Sequence, residues 1–352
     1  MKYAILFGGA SFEHEISIVS AIALKKVLKN VETFIFLDSE GEFYAIPPTS
    51  MKSTHFSDRG FKKDEKLTLS KGGFLKRGLF KSSMLEGFDV ILNLIHGAQG
   101  EDGTIASLLD FYEIPYIGPR KEASVISFNK RFTKLYADGI GIKSVEYELL
   151  KIDSKREIAF DFPLIVKPLR LGSSIGVSVV KQKSELDFAL DVAFEFDDEV
   201  LIEPFIEGIE EYNVAGCRVG SEWYIGKIEA PKKDGYLDFE QKYMDFSRTQ
   251  SVLEAQIDNR VQEELIDSFK KVYANLFEGA LVRCDFFVKD GEILLNEINP
   301  IPGSLANYLF DDFQGALDSL GTSLPKNRSI KPDYAYIGLV KSAKGPQTGN
   351  GR

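Results

Sequence analysis

The sequence has few cysteines and no excess of positive charge, and it lacks an apolar run long enough to cross a membrane. Its two cysteines, Cys217 and Cys284, lie far apart in apolar, strand-like segments. This pattern argues against a disulfide framework and fits a reducing compartment. The formal net charge of -10 argues against a nucleic-acid partner, although a local group of lysines can still bind phosphate.

Neither end of the chain reads as a targeting or anchoring segment. The first apolar run stops at Gly8 and is soon followed by charge, so we do not expect a signal peptide. Spanning a bilayer takes about 20 consecutive apolar residues, and no stretch reaches that length. We therefore expect a cytoplasmic protein without a membrane partner. Residues 341–352 are small, polar and basic, which predicts a disordered tail.

The residues that are present predict a globular protein of class α/β (α+β) with three domains. The chain has 352 residues, of which 44% are hydrophobic and 27% are charged. Residues 1–119 alternate strands with helices and predict a doubly wound, mostly parallel sheet. Residues 120–205 predict a small α+β domain that opens with one helix ended by Gly139. Residues 206–340 predict a C-terminal α+β domain with an antiparallel sheet.

Two predicted strands on either side of a Lys-Asp-Gly turn carry charged side chains where a core needs apolar ones. Arg283 and Asp285 share a face of the first strand, and Glu297 and Asn299 share a face of the second. If the strands pair, two carboxylates and an amide oxygen converge, and such ligands suit Mg²⁺ or Mn²⁺. Mg²⁺ usually arrives with phosphates, so a nucleotide is expected nearby. The alternative is a solvated sheet face in which Arg283 is only an ion-pair partner.

A loop rich in glycine and serine follows Lys167. It contains Gly172, Ser173, Ser174 and Gly176, and such loops approach phosphates closely. It is not a Walker A loop, because the lysine precedes the glycines and no Gly-Lys-Ser/Thr is present. The alternative is a polar hairpin turn.

The segment "LIEPFIEGIEEYNV" combines an aromatic side chain with carboxylates. Phe205 could hold an adenine face, while Glu203 and Glu210 could meet ribose hydroxyls. The alternative is an ordinary acidic linker between two domains.

Three other places attract a functional interpretation. In "FGGASFEHEIS", Glu13 and Glu15 open a predicted helix, either as dipole partners or as a carboxylate that meets a substrate ammonium. The third glycine of a dinucleotide fingerprint is absent there. His96 ends a strand, where ligands of α/β proteins collect, and could be a ligand or a structural residue. Lys242 and Tyr243 lie in a long polar loop that could close as a lid.

The order of these features is more specific than any one of them. A glycine turn with Glu15 comes first, followed by Lys130 in "FNKRFTK" and Lys167 with "GSSIG". Glu203, a Lys-Tyr pair in a loop, "R-x-D" and "NEIN-x-x-PG" complete the series. The series resembles the ATP-grasp ligases, and within them the D-alanine–D-alanine ligases, from residue 3 to about residue 310.

The resemblance implies ATP between the central and C-terminal domains, with the N-terminal domain on the substrate side. It implies that ATP is bound by Lys130, Lys167, Ser174, Glu203, Phe205, Glu210 and Lys242. It implies two Mg²⁺ or Mn²⁺ ions on Asp285, Glu297 and Asn299. By the same resemblance, the catalytic residues are Glu15, Ser173, Tyr243, Arg283 and Gly303. The substrate-binding residues are then Glu15, His96, Arg283, Gly303, Tyr308 and Leu309.

The family reaction joins two D-alanine molecules for peptidoglycan precursor synthesis. ATP converts the first carboxylate to an acyl phosphate, and the amine of the second D-alanine then displaces phosphate. Glu15 would bind the first ammonium in a network with Ser173 and Tyr243, and Arg283 with the N–H of Gly303 would receive the oxyanion. Tyr243 goes with the dipeptide in this family, since relatives that make the D-lactate ester carry Phe. A homodimer is also implied.

The segment "PGSLANYLF" departs from the family pattern. Relatives usually continue from Pro-Gly with Met-Thr, and then with a Ser-Leu pair that meets the carboxylate of the second D-alanine. Here Ser304 and Leu305 replace Met-Thr, and Tyr308 precedes Leu309 where the serine is expected. Tyr308 could offer a phenol hydroxyl from a longer reach.

Three alternatives stay open at this point. The acceptor could be D-lactate or D-serine instead of D-alanine. A nucleotide-binding regulatory module without chemistry is a second possibility, although such a module has no need of Glu15, Ser173, Tyr243 and Arg283. A nicotinamide-dependent dehydrogenase is disfavoured by the broken glycine fingerprint.

Overall fold

The computed structural model describes residues 1–78, 81–231, 252, 254–326 and 330–343, and these contain three β-sheets. The strands of the first sheet are β1 (Tyr3–Gly8), β2 (Val31–Leu37), β3 (Phe43–Ile46), β4 (Glu65–Ser70), β5 (Gly73–Lys76), β6 (Ser83–Met84), β7 (Val90–Asn93) and β8 (Tyr116–Ile117). Its helices are α1 (His14–Val27), α2 (Ser53–Ser57) and α3 (Thr104–Phe111).

The first sheet has the order β6-β5-β4-β3-β2-β1-β7-β8. Strands β2, β1, β7 and β8 are parallel, and β3 to β6 continue the sheet in antiparallel pairs. Every residue of β1 is buried, because the sheet is covered on both faces there, and this explains its unbroken apolar sequence. The predicted parallel sheet is present. The stretch after residue 46 forms strands that extend this sheet in antiparallel pairs.

The second sheet has the order β10-β13-β11-β12. Its strands are β10 (Glu148–Lys151), β11 (Leu164–Pro168), β12 (Ser178–Val180) and β13 (Glu199–Pro204), and helix α6 (Leu186–Phe194) packs against it. As predicted, β11 and β12 are antiparallel on either side of the Gly-Ser loop.

The single helix expected up to Gly139 is two helices, α4 (Lys121–Phe128) and α5 (Lys130–Gly139). Asn129 separates them in an extended conformation, and its side-chain oxygen accepts from the N–H groups of Arg131 and Phe132 at 3.0 and 3.2 Å. This cap starts a new helix, so the side chain of Lys130 projects from a first turn.

The third sheet has the order β15-β14-β16-β17-β9. Its strands are β9 (Lys143–Ser144), β14 (Glu210–Val219), β15 (Glu222–Ile225), β16 (Val282–Lys289) and β17 (Glu292–Asn299). The later helices are α7 (Asn259–Tyr273), α8 (Phe313–Thr322) and α9 (Ala335–Ala343). Because β9 pairs with β17, a strand from the predicted central stretch belongs to the C-terminal sheet.

The last helix overlaps the predicted tail. Helix α9 ends at Ala343, so the first three residues of the segment 341–352 are helical, and residues 344–352 lie outside the described part of the chain. Within the described residues, no helix is both long enough and apolar enough to span a membrane.

Candidate active site

The loop after β1 carries Glu13 into the interior. Glu13 is 4% exposed, and its carboxylate accepts a hydrogen bond from the hydroxyl of Ser173. Its second oxygen, Oε2, has no hydrogen-bond partner among the described residues. Burial, together with the nearby Glu101 carboxyl, raises the pKa of Glu13 to about 7. A buried, half-satisfied carboxylate of this kind suits a ligand that brings its own hydrogen-bond donors.

This geometry favours Glu13 over the predicted Glu15 as the residue of this site. Glu15 is exposed in the first turn of α1, and Ser173 contacts Glu13 instead. The phase of the helix is the reason: Glu13 lies four residues before the buried Ser17, whereas Glu15 lies four residues before Val19 on the more exposed side.

His96 and Glu101 lie behind Glu13. The Nδ1 atom of His96 is 3.7 Å from Oε1 of Glu101, and Nε2 is 3.0 Å from the hydroxyl of Ser20. Burial lowers the pKa of His96 to about 4 and raises that of Glu101 to about 8. At neutral pH the imidazole is therefore uncharged. Glu101 was not singled out from the sequence, although it follows the strand end in "GAQGEDG".

Lys130 connects the three sheets. It is the first residue of α5, and its ammonium donates to the carbonyl of Leu171. Burial lowers its pKa to about 8, against the attraction of three carboxylates: Glu297 on β17, Glu13 after β1 and Glu203 on β13. Glu203 and Glu297 lie in the second and third sheets, and Glu13 follows a strand of the first. One buried cation thus marks the point where the three sheets face one another.

Glu203 lies between two lysines. Its carboxylate oxygens are 2.5 Å from the Nζ atoms of Lys134 and Lys167. Burial alone would raise its pKa, but Lys167 and Lys134 lower it below the usual value, so the carboxylate is ionised. Lys167 was predicted here. Lys134 was missed, although it follows Lys130 by one helical turn and therefore lies on the same side of α5.

Three further segments of the chain carry the other residues predicted for ATP and their neighbours. Phe205 directly follows β13 and is partly buried, and Glu210 is exposed at the start of β14. Ser173 and Ser174 both adopt left-handed backbone conformations, with φ of 55° and 57°. Lys242 and Tyr243 fall outside the described residues, so the predicted lid has no structural description.

The hairpin of β16 and β17 has the predicted pairing. Asp285 lies opposite Glu297, and Arg283 lies opposite Asn299. Arg283 donates to both oxygens of Asp285 at 2.7 and 2.8 Å, and Nδ2 of Asn299 donates to Oδ2 of Asp285 at 3.0 Å. Arg283 is thus an ion-pair partner, as the alternative interpretation expected.

The same hairpin fits a divalent cation. Burial raises the pKa of Asp285, and Glu297 raises it further because the two carboxyl groups repel each other. A cation between them would relieve that repulsion. The described residues contain no group of three or more His, Cys, Asp or Glu side chains with metal-ligand spacing. The third ligand here would instead be the amide oxygen of Asn299, since its nitrogen already donates to Asp285.

The segment after the hairpin forms a buried 3-10 turn, Gly303–Leu309. The hydroxyl of Tyr308 accepts from Nη1 of Arg283 at 3.4 Å, and Tyr308 is only 4% exposed. Leu309 is fully buried, and its carbonyl accepts from the N–H of Lys227 at 2.7 Å. Both side chains are therefore buried, and the hydroxyl of Tyr308 faces Arg283.

Comparison with known proteins identifies the family. A model described as D-ala D-ala ligase N-terminus matches residues 2–119, and one described as D-ala D-ala ligase C-terminus matches residues 138–313. The D-alanine--D-alanine ligase of Wolinella succinogenes is 57% identical over 345 residues, which are 98% of this chain and 100% of that relative.

Solved structures agree. The crystal structure of D-Alanine-D-Alanine Ligase from Helicobacter pylori is similar with a TM-score of 0.84 and 50% identity, over 93% of this chain and 100% of that chain. VanG D-Ala:D-Ser Ligase from Enterococcus faecalis has a TM-score of 0.72 at 24% identity, over 92% and 97%, and shows the fold alone. The predicted ATP-grasp fold is confirmed, and the chain belongs to the D-alanine–D-alanine ligase family.

Proposed function

We infer that the protein joins two D-alanine molecules to D-alanyl-D-alanine with ATP, as a step in peptidoglycan precursor synthesis. The observation that supports this most is the environment of Lys130, whose ammonium interacts with Glu13, Glu203 and Glu297. These three carboxylates belong to the proposed D-alanine, nucleotide and metal sites. A carboxylate, a γ-phosphate and a metal ion could therefore meet at one point, as acyl phosphate formation requires.

The nucleotide would lie along the second sheet. Lys130 and Lys167 would hold phosphates, and Ser174 and Lys242 would add donors to them. Glu203 would accept from the ribose, because its two lysine partners keep it ionised. Phe205 would stack on adenine, and Glu210 would lie at the outer edge of the site. Arriving phosphates would compete with Glu203 for the lysines, so we expect the ion pairs to rearrange on binding.

The first D-alanine would bind at Glu13, in place of the Glu15 assignment. An ammonium offers three donors, and Oε2 of Glu13 is a buried acceptor without a hydrogen-bond partner among the described residues. The hydroxyl of Ser173 already holds the other oxygen and would keep the carboxylate in place. The substrate carboxylate would then extend toward Lys130, where the phosphoryl group arrives.

Asp285, Glu297 and Asn299 would hold two Mg²⁺ or Mn²⁺ ions. Such ions neutralise charge that develops on the transferring phosphoryl group. The residues themselves would hold these ions in place. Asp285 stays fixed by its two hydrogen bonds from Arg283, and Glu297 faces it across the hairpin.

In the second step the free amine of the second D-alanine attacks the acyl phosphate carbonyl. The C–N bond forms, and phosphate leaves with the electron pair of the C–O bond. Arg283 remains protonated, because the attraction of Asp285 outweighs the effect of burial and raises its pKa well above the usual value. Arg283 and the N–H of Gly303 would stabilise the oxyanion, and such a donor contributes about 3 to 4 kcal/mol.

Phosphate release tests this proposal. We expect release from ATP and Mg²⁺ with D-alanine and little release with L-alanine. The buried surroundings of Glu13 fix the orientation of the bound amino acid, so the two enantiomers place their methyl groups differently. Assays with D-alanine plus D-serine or D-lactate, at neutral and alkaline pH, compare acceptors. The other-acceptor alternative is not favoured by the relatives at high identity. A folded protein that binds Mg-ATP without turnover dependent on a D-amino acid would refute ligation and favour a regulatory module.

We also propose a cytoplasmic homodimer without nucleic-acid or membrane partners. The net charge of -10 argues against a nucleic-acid partner. Light scattering of the purified chain tests the dimer, since a monomer mass at micromolar concentration would contradict it.

A further inference from the structure

The turn that contains Gly303 has an unusual backbone. Ser304, Leu305 and Ala306 follow one another in left-handed conformations, with φ of 47°, 50° and 50°. None of them is glycine, so each costs conformational free energy and persists only if its surroundings hold it. The question is which contacts keep this turn, and with it the N–H of Gly303, in position.

Two side chains from the N-terminal domain contact the start of this turn and the residue two positions before it. The N–H of Ser304 donates to the hydroxyl of Ser20 on α1 at 3.2 Å. The same hydroxyl is 3.0 Å from Nε2 of His96. His96 in turn hydrogen-bonds to the backbone of Ile301. The chain from Ile301 to Ser304 is therefore held at both ends, with Pro302 and Gly303 between them.

We propose that Ser20 is a positioning residue for the oxyanion site. It connects His96 to the N–H of Ser304 and so fixes the Pro302–Gly303 segment, from which the N–H of Gly303 would meet the oxyanion. The inference rests on the proposed ligase reaction. It adds a residue on α1 that touches no substrate and acts through the backbone of the turn.

The direction of the hydrogen bonds is consistent along the chain. Ser20 has one donor and two acceptor sites, and it accepts from Ser304. Its own proton can then go to Nε2 of His96. This assigns the neutral imidazole with hydrogen on Nδ1. The charged groups that face His96 are Glu13 and Glu101. Burial holds the pKa of His96 near 4, so the neutral form persists at pH 7.

Ser17 supplies a matched control. It lies one turn earlier on the same helix and is fully buried like Ser20. Its hydroxyl also makes two hydrogen bonds, accepting from the N–H of Gly8 at 2.8 Å and donating to the carbonyl of Leu94 at 2.6 Å. Ser17 therefore has the same chemistry and burial, but its hydroxyl bonds to Gly8 and Leu94 and not to the turn.

The test compares Ser20→Ala with Ser17→Ala in the full-length protein. We expect Ser20→Ala to lower kcat at least 10-fold, with the Kd for ATP changed less than threefold, because Ser20 lies on α1 whereas ATP is proposed to lie along the second sheet. Ser17→Ala should leave kcat within threefold even if the two variants lose similar stability in thermal unfolding. Equal kcat values for the two variants would overturn the proposal. An inactive wild-type protein would instead refute the ligase function itself.

Hydrogen exchange provides a second readout that does not depend on activity. In Ser20→Ala, exchange of the segment 302–306 should be at least 10-fold faster than in the wild type, while the hairpin 282–299 keeps its rate. Unchanged exchange in that segment would contradict the role of Ser20. If Ser20→Ala does not fold, Ser20→Cys keeps the volume with a weaker donor and acceptor, and the same two comparisons apply to it.

Discussion

Replacing Glu13 by Gln tests which carboxylate binds the first D-alanine. The substitution keeps the size of the side chain and removes its charge. Glu13 is buried and hydrogen-bonded to Ser173, and its Oε2 atom points to no described donor. If that atom accepts from the substrate ammonium, the variant loses a charge-assisted hydrogen bond.

The size of the effect follows from the kind of bond. Hydrogen bonds to charged groups contribute about 1.5 to 3 kcal/mol, and about 1.4 kcal/mol is a factor of ten. We therefore expect the KM for the first D-alanine to rise about 10-fold to 150-fold. Glu15→Gln is the control, because Glu15 is exposed in the first turn of the same helix. Its KM should stay within about twofold of the wild type.

The Glu13→Gln variant should also be more stable than the wild type at alkaline pH. Folding raises the pKa of Glu13 from 4.5 to about 7, so between these values the folded protein binds more protons than the unfolded chain. Its stability thus falls as pH rises through that window. The full shift corresponds to at most about 3 kcal/mol above pH 7. Gln carries no charge to bury, so Glu13→Gln should recover part of this free energy.

Two measurements test the assignment to Glu13 and the effect of its burial: initial rates against D-alanine concentration, and unfolding in urea at pH 5 and pH 8. The expected pattern is a raised KM together with a stability gain at pH 8 that is absent at pH 5. If Glu15→Gln raises the KM and Glu13→Gln does not, the assignment to Glu13 is wrong. A loss of stability at pH 8 in Glu13→Gln would refute the argument from burial.

Three further variants test the rest of the cleft. Glu297→Gln should nearly abolish turnover with Mg²⁺ and leave the circular dichroism spectrum unchanged, so substantial residual activity counts against the metal assignment. Lys134→Met should destabilise the protein by about 1.5 to 3 kcal/mol in urea unfolding, because Glu203 loses one charged hydrogen bond and keeps Lys167. Tyr308→Phe should raise the KM for the second D-alanine about 10-fold, because a hydrogen bond from the hydroxyl to the substrate carboxylate is charge-assisted. An unchanged KM means that the hydroxyl has no role there.

The hairpin was predictable because its information is local. Side chains alternate along a strand, and a Lys-Asp-Gly turn joins the two strands, so a hairpin follows from the sequence. The register near the turn places Lys289 opposite Glu292, but a bulge between Asp285 and Phe286 shifts it by one residue and brings Asp285 opposite Glu297, and spacing alone does not predict that shift. The antiparallel strands around the Gly-Ser loop were predictable because they too are close in sequence.

The choice between Glu13 and Glu15 was also within reach of the sequence. Glu13, Ser17, Ser20 and Leu24 repeat at the spacing of one helical face, and that face is small or apolar. A carboxylate in phase with it points into the protein. The resemblance led to Glu15 because two glutamates follow the same glycine turn, and the motif alone does not separate them.

Lys134 could not be assigned in this way. A lysine on a helix is usually solvated, and helix periodicity gives no sign that α5 would bring this one against β13. Its burial depends on Glu203, which lies about 70 residues later and holds Lys134 and Lys167 together. The left-handed backbone of Ser304 is similar, since the N–H of Ser304 donates to Ser20 on α1, which is far away in sequence.

The electrostatics of the cleft explain why its residues are arranged at some cost to the free protein. Burial raises the pKa of Glu13 and Asp285 and lowers that of Lys130, so charged groups of both signs are held in unfavourable surroundings. Hydrogen bonding within the protein relieves only part of this, as Oε2 of Glu13 shows. An ammonium at Glu13, phosphates at Lys130 and a cation at Asp285 would each supply the missing opposite charge. Three ligands of different charge would then stabilise one another through the cleft, and the arrangement therefore favours the loaded state over any partly loaded one.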